Sequence, residues 1–220
     1  MKRALIIANW KSNKTVREAE QWFASVAAEV SLINNSAKVV LCPPFQLLPI
    51  CLQLIKKYQL NWSLGAQNVS PYPEGKHTGE VNAKQLRDFV EYVLIGHSER
   101  RSEFYETDKI LFEKVQRVYE NNLTPIYFVQ GEETPIPEKI GIVAYEPIFA
   151  IGTGHPDTPE DAEKVGHYFK SIRHVPTVLY GGSVDDKNVA AFMSCSSLDG
   201  IVPGTASLDP GVFTHLIHNA

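Results

Sequence analysis

The chain has 220 residues, of which 44% are hydrophobic, and this suits a single domain of the larger α/β kind spanning 1–220. The 21 basic and 25 acidic side chains give a net charge of −4 without a dense basic run, which argues against nucleic acid or a membrane as partner. The first apolar run, 4–8, is too short for a signal segment or a membrane span, so we expect a cytoplasmic protein. Its cysteines, Cys42, Cys51 and Cys195, lack metal-type spacing and are predicted to be reduced packing residues.

Short apolar runs alternate along the chain with segments of helical periodicity. The predicted strands are 4–8, 38–42, 61–66, 92–95, 124–129, 140–145, 177–180 and 200–202. The predicted helices are 15–30, 45–58, 82–89, 107–121, 159–171, 185–193 and 210–218. Three of them have start signals, namely the capping box of Thr15 with Glu18 and the pairs Thr158-Pro159 and Asp209-Pro210. Eight alternating strands with polar or glycine-rich ends favour a closed (β/α)8 barrel over an open doubly wound sheet.

One repeat of the barrel is shortened. Residues 130–139 contain two prolines within three residues and no apolar period, so no helix is predicted between the fifth and sixth strands. About ten extended residues reach at most ~35 Å, which is enough to descend a strand of roughly 17–20 Å but leaves no slack for a helix. We therefore expect the outer barrel wall near the fifth strand to be bare or covered by something else.

Glu146 ends an apolar strand and is followed by Pro147, an apolar stretch, and the glycines Gly152 and Gly154. This layout is typical of a catalytic base with a movable lid, because burial at a strand end raises the proton affinity of a carboxylate. The alternative is a glutamate that simply faces solvent at the end of its strand.

Polar residues follow several other strands, and the barrel brings strand ends together at one face. Singly, His97 could be a structural histidine and Lys11 a solvated charge. Together with Glu146 they indicate proton transfer next to a carbonyl group. Small residues at neighbouring strand ends suit a phosphate, which makes a small phosphorylated substrate the predicted ligand. These phosphate-binding candidates are Gly152, Ser183, Gly204 and Thr205.

Six runs of sequence carry a resemblance to the triosephosphate isomerase family. They are 8–13 (Ala-Asn-Trp-Lys-Ser-Asn), 65–68, 78–80, 95–101 (Ile-Gly-His-Ser-Glu-Arg-Arg), 144–154 and 180–184 (Tyr-Gly-Gly-Ser-Val). The likeness extends from the first strand to the last helix. It implies an intramolecular aldose-ketose isomerase that interconverts dihydroxyacetone phosphate and glyceraldehyde 3-phosphate through an enediolate, without a metal or organic cofactor.

The resemblance also implies roles for single residues. Glu146 would move the proton between two carbons, and His97, kept neutral by a helix beginning near Ser98, would donate a hydrogen bond to the carbonyl oxygen. Lys11 would supply positive charge. Asn9 would be a further donor, while Glu99 would pair with Lys11 and Gly152 would reach the phosphate as a lid over 147–154 closes.

Three positions depart from the family pattern. Phe149 replaces the usual lid tryptophan and lacks an indole N–H, and Thr205 occupies the second place of a usual glycine pair, where positive φ would be costly. The cysteine usual near the fifth strand is absent. None of these changes removes a catalytic atom.

The resemblance further implies a homodimer in which the third loop, 70–78, inserts beside the partner's active site. A tetramer through the uncovered wall is the alternative. For function, a phosphate-binding barrel that has lost turnover stays open as an alternative. Another sugar-phosphate isomerase or an aldolase on the same fold is a third, although no lysine suited to a Schiff base is evident at a strand end.

Overall fold

The computed structural model describes residues 3–30, 37–148 and 157–220. Its centre is a closed barrel of eight strands in chain order, with parallel neighbours and β8 paired to β1, which confirms the predicted (β/α)8 architecture. The strands are β1 Leu5–Asn9, β2 Lys38–Cys42, β3 Trp62–Ala66, β4 Tyr92–Ile95, β5 Thr124–Val129, β6 Ile142–Tyr145, β7 Thr177–Tyr180 and β8 Gly200–Ile201.

Helices surround this barrel. The α-helices in the described ranges are α1 Val16–Val30, α2 Leu48–Lys57, α3 Ala83–Leu86, α4 Ser98–Glu103, α5 Asp108–Glu120, α6 Pro159–His167, α7 Val189–Met193 and α8 Pro210–Asn219. Short 3-10 turns occupy Phe45–Leu47 and Thr205–Ser207, and one π-helical turn, Tyr168–Ile172, extends α6. The three predicted start signals are present. Thr15 and Glu18 each accept the backbone N–H of the other. Thr158 accepts a backbone N–H of α6, and Asp209 accepts one of α8.

Two predicted helices are shorter than expected. The segment 82–89 forms only α3, because Phe89 and Val90 both donate their backbone N–H to the carbonyl of Leu86 and close a turn into β4. The segment 185–193 forms only α7, because Asp185 Oδ1 accepts the backbone N–H groups of Lys187 and Asn188 and holds that stretch as a turn.

Alternation along each strand builds two apolar layers. Inward residues such as Ile7, Val40 and Ile126 fill the barrel, while outward residues such as Ile6 and Val39 pack under the helices. At the closure of the barrel, a Cβ on Gly200 would lie 1.9 Å from the carbonyl oxygen of Leu5, so only glycine lets β8 approach β1 so closely.

The connection between β5 and β6 contains no helix, as predicted. The wall beside it is nevertheless covered, because Tyr127 and Val129 are fully buried and Ile136 of the connection packs against the outer layer. Tyr119 of α5 also donates its hydroxyl to the carbonyl of Lys139. Of the two expectations for this wall, a bare surface is wrong and a substitute cover is correct.

No helix within the described ranges is long and apolar enough to cross a membrane. The three cysteines are free thiols, as predicted, and burial raises the pKa of Cys42 and brings that of Cys51 to about 12.

Candidate active site

Those predicted site residues that the structure describes meet at the carboxyl ends of the strands. A cavity of 730 Å³ is lined there by four candidates for proton transfer and charge stabilisation and by three candidates for phosphate binding. They are Asn9, Lys11, His97, Glu146, Ser183, Gly204 and Thr205. Glu99 lies on the other side of Lys11, in a smaller adjoining groove of 270 Å³ that Lys11 and His97 also line.

Glu146 is almost completely buried at the end of β6. Its backbone N–H is held by the carbonyl of Val129, and its carboxylate accepts from Ser98 twice, through the backbone N–H at 2.8 Å and the hydroxyl at 2.9 Å. Burial is the largest influence and raises the pKa of Glu146 to about 7, while the two bonds from Ser98 and the charge of Lys11 oppose it. The carboxyl group is therefore suited to accept and return a proton near neutral pH.

His97 caps α4, which begins at the next residue. Its Nδ1 accepts the backbone N–H of Glu99 at 3.3 Å, so the single proton of the neutral ring resides on Nε2. That Nε2 lies 3.1 Å from Oε1 of Glu146. Burial, followed by the cations of Lys11 and Arg100, lowers the pKa of His97 to about 4 against the opposing charge of Glu99. The predicted neutrality of His97 thus has burial as its main cause, rather than the start of α4.

Lys11 stands in the left-handed region, with φ of 51°, and its ammonium group lies 2.5 Å from Oε1 of Glu99, the contact that the resemblance implied. Two amides support its backbone. Asn9 Oδ1 accepts the N–H of Lys11 at 3.0 Å, and Gln67 Nε2 donates to the carbonyls of Lys11 and Cys42, both at 2.8 Å. The strained backbone of Lys11 is therefore fixed from both sides.

Three of the phosphate-binding candidates, Ser183, Gly204 and Thr205, follow the neighbouring strands β7 and β8. Ser183 lies in the turn after β7, and Gly204 precedes the 3-10 turn that Thr205 begins. Thr205 is outside the positive-φ region, so its β-branched side chain meets no penalty there. A Cβ on Gly204 would approach Cε of Lys11 to 3.4 Å, which places this backbone directly against the cation. Gly152 and the lid residue Phe149 lie outside the described residues.

Three residues that contribute to the site were given no role from the sequence. Ser98 holds the carboxylate of Glu146, and Gln67 holds the backbone of Lys11. Both stand inside the runs that carry the family resemblance, and this was the signal that could have identified them. Phe128 is a third, since its ring packs edge-on against His97 at 5.1 Å and keeps that side of the cavity apolar.

Among the described residues, no cluster of three or more His, Cys, Asp or Glu side chains is arranged to hold a metal ion. The groups that line the cavity are a carboxyl, a neutral imidazole, an ammonium and small loop residues. This set can exchange a proton with carbon, donate to a developing oxyanion and receive an anionic ligand.

Comparison with known proteins gives full-length matches. A family model described as "Triosephosphate isomerase" matches residues 4–139 and 136–220. Relatives named triosephosphate isomerase include those of Thermus thermophilus (36% identity over 254 aligned positions, 100% of each chain) and Aquifex aeolicus (36% over 250, 99% of each). Another is that of Clostridium botulinum (36% over 253, covering 99% of this chain and all of the relative). Each alignment is longer than this chain of 220 residues, so these relatives have residues that it lacks.

Proposed function

Because this chain belongs to the triosephosphate isomerase family, we propose that it interconverts dihydroxyacetone phosphate and D-glyceraldehyde 3-phosphate. The observation that carries the proposal is the 3.1 Å contact between Glu146 Oε1 and His97 Nε2 in the cavity that Lys11 also lines. Burial there raises the pKa of Glu146 to about 7 and lowers that of His97 to about 4. This pairing supplies a base that is partly ionised and an imidazole that stays neutral at the same pH.

The reaction begins with Glu146 ionised and dihydroxyacetone phosphate bound. Glu146 exchanges its bonds from Ser98 for the substrate and takes a proton from C1. The electron pair of the broken C–H bond forms the C1–C2 double bond, and the charge moves to the C2 oxygen as an enediolate. Glu146 then returns the proton to C2 as the C1 carbonyl forms, while one proton passes from the C1 oxygen to the C2 oxygen. The substrate and product are isomers, so no co-reactant is consumed.

His97 and Lys11 stabilise the enediolate in this scheme. A neutral imidazole donates from Nε2 to the substrate oxygens, and a ring with a pKa of about 4 retains that form at neutral pH. Lys11 supplies a positive charge. Its backbone is held by Gln67 and Asn9, and Glu99 orients its ammonium group. Asn9 serves as a further donor to the ligand.

The phosphate group is proposed to bind the loops after β7 and β8, at Ser183, Gly204 and Thr205. Their position beside Lys11 supports this, because the cation and the small loop residues line one cavity. The proposed lid over 147–154, with Gly152 as an additional phosphate ligand, falls mostly on residues outside the described ranges and remains a prediction from the sequence.

Substitution Glu146→Ala tests the base. We expect isomerisation in a coupled assay to be lost by at least a thousandfold, while inorganic phosphate binds within about threefold of the wild type, since the phosphate loops are unchanged. The control is Glu103→Ala, which removes an exposed carboxylate of α4 and should leave turnover unchanged. Near-normal turnover in the Glu146 variant would exclude this residue as the base. Phosphate binding by a wild-type protein without turnover would support the binding-only alternative.

We also infer a homodimer. The groove beside Lys11 is open, and Phe104 at its edge is 60% exposed, which suits a covering loop from a second copy. Light scattering over a concentration series should give a dimer for the wild type and a monomer for Phe104→Glu. Ile172→Glu changes an equally exposed residue near the opposite end of the barrel and serves as control. A tetramer has less support, because the wall near β5 is covered.

A single catalytic domain over 1–220 and a cytoplasmic location complete the proposal. The match of the family model along almost the entire chain supports the first. The second follows from the sequence composition and from triose phosphates being intermediates of central metabolism. Fractionation of cells that express the protein would test the location.

A further inference from the structure

Asp157 is a buried acid to which neither the sequence motifs nor the reaction assigns a role. It is 6% exposed and stands just before α6. Its Oδ2 accepts the hydroxyl of Tyr145 at 3.0 Å, and its Oδ1 accepts the backbone N–H of Thr158 at 3.0 Å. Its own backbone N–H donates to the hydroxyl of Tyr180 at 3.1 Å. One residue thus bonds the tyrosines that end two neighbouring strands, β6 and β7.

The two tyrosines lie next to the two halves of the site. Tyr145 directly precedes the base Glu146, and its carbonyl accepts the backbone N–H of Gly181 at 2.7 Å. Tyr180 directly precedes the loop of residues 181–183. A Cβ on Gly182 would fall 2.2 Å from the hydroxyl of Tyr180, so this loop rests on that oxygen. Asp157 is therefore one hydrogen bond away from the supports of both the base and the phosphate loop.

Helix capping does not account for the bond to Tyr145. The hydroxyl of Thr158 already accepts the backbone N–H of Asp161 at 3.1 Å, and Pro159 occupies the first turn of α6. Burying a carboxylate costs free energy unless it is hydrogen-bonded, and here the tyrosine hydroxyl supplies one of the bonds. The Asp157–Tyr145 contact thus has a role beyond starting the helix.

We propose that Asp157 is a positioning residue for the isomerisation, whose carboxylate fixes the end of β6 behind Glu146 through Tyr145. This inference rests on the proposed function and deepens it. Loss of the carboxylate displaces the base and lowers kcat. Residues 181–183 and phosphate binding should be unaffected, because the backbone N–H of Asp157 still donates to Tyr180.

The first test is a double-mutant cycle of Asp157→Ala and Tyr145→Phe. We expect each single variant to lower kcat about tenfold and the double variant to lower it no further, with the dissociation constant of inorganic phosphate within about twofold of the wild type. Asp157→Asn should restore at least half of the wild-type kcat, because an amide can bond to both the Tyr145 hydroxyl and the Thr158 N–H.

Thr158→Ala is the structural control, since it removes the cap of α6 but leaves both tyrosine bonds in place. We expect it to lower the melting temperature without changing kcat per folded molecule. Wild-type kcat in both Asp157→Ala and Tyr145→Phe would overturn the inference, as would an equal loss of kcat in Thr158→Ala. If Asp157→Ala fails to fold, the kcat of Tyr145→Phe, which lacks only one oxygen atom, still tests the inference.

A readout that does not need turnover separates this inference from the proposed function. The ¹³C resonance of the Glu146 carboxyl should shift in Asp157→Ala and in Tyr145→Phe but not in Thr158→Ala. An inactive wild type with these shifts would contradict the proposed function alone. If the wild type is active, and Asp157→Ala and Tyr145→Phe both leave the Glu146 resonance and kcat unchanged, only the role of Asp157 is contradicted.

Discussion

His97 Nε2 lies 3.1 Å from Oε1 of Glu146, so the two groups assigned to proton movement are in direct contact in this structure. The tautomer of His97 is fixed, because Nδ1 accepts the backbone N–H of Glu99 and leaves the ring proton of the neutral imidazole on Nε2. An imidazole with its proton on Nε2 can donate to a substrate oxygen once the carboxylate turns towards carbon. The free site therefore holds the proton donor in the form that the reaction requires.

The first prediction concerns the titration of this pair. Burial raises the pKa of Glu146 to about 7 and lowers that of His97 to about 4. We expect the Glu146 carboxyl to titrate near pH 7 and the imidazole to stay neutral down to about pH 5 in NMR of ¹³C-labelled protein, with Glu146→Gln identifying the carboxyl signal. Activity, kcat/KM, should fall towards acid as Glu146 protonates. An imidazole titrating above pH 6 beside a carboxyl near its ordinary value would reverse the assignment.

The second prediction concerns stability. Because the pKa of Glu146 is higher in the folded than in the unfolded chain, the folded state binds more protons, and stability decreases as pH rises from about 4.5 to 7. A shift from 4.5 to about 7 corresponds to about 3 kcal/mol. The difference in unfolding free energy between Glu146→Gln and the wild type should grow by up to this amount from pH 4 to pH 8. A difference that is constant with pH would contradict the raised pKa.

The barrel itself was predictable because each of its strands has a local signature. The strands predicted at 4–8, 38–42 and 124–129 from short, mainly apolar runs occupy almost the positions of β1, β2 and β5. The absence of a helix between β5 and β6 was equally predictable, because the prolines in this connection and its short length forbid one. The cover of the nearby wall was not predictable, because Ile136 packs there through a tertiary contact that leaves no periodic pattern.

The site residues likewise fall into those that were predictable from the sequence and those that were not. Glu146, His97 and Lys11 were identifiable at strand ends, where the fold gathers functional side chains. Ser98 and Asp157 act through hydrogen bonds to residues 48 and 12 positions away in the chain, respectively. Such partners depend on how the strands register and on where the loops return. A serine or an aspartate by itself carries no such information.

The third prediction concerns Gln67, whose side-chain amide donates to the carbonyls of Lys11 and Cys42. Removing both bonds by Gln67→Ala releases a lysine held at φ of 51°, and two bonds are worth about 1 kcal/mol each. We expect kcat/KM to fall roughly tenfold to thirtyfold, at constant pH and salt. Gln116→Ala deletes an exposed side-chain bond to Glu120 and should leave kcat/KM unchanged. Equal kinetics of the two variants would show that Lys11 needs no such support.

The last prediction concerns the phosphate loop and the oxygen on which it rests. A methyl group at position 182 would fall 2.2 Å from the Tyr180 hydroxyl, and the ring is stacked on Phe192 at 4.0 Å, so the ring has little room to retreat. In Gly182→Ala the loop must therefore move, and we expect KM and the dissociation constant of inorganic phosphate to rise roughly tenfold or more. Gly131→Ala is the matched control, because a Cβ there meets no atom within 4 Å. If Gly182→Ala kept the wild-type KM and phosphate affinity, the contact between Gly182 and Tyr180 would have no part in positioning the phosphate.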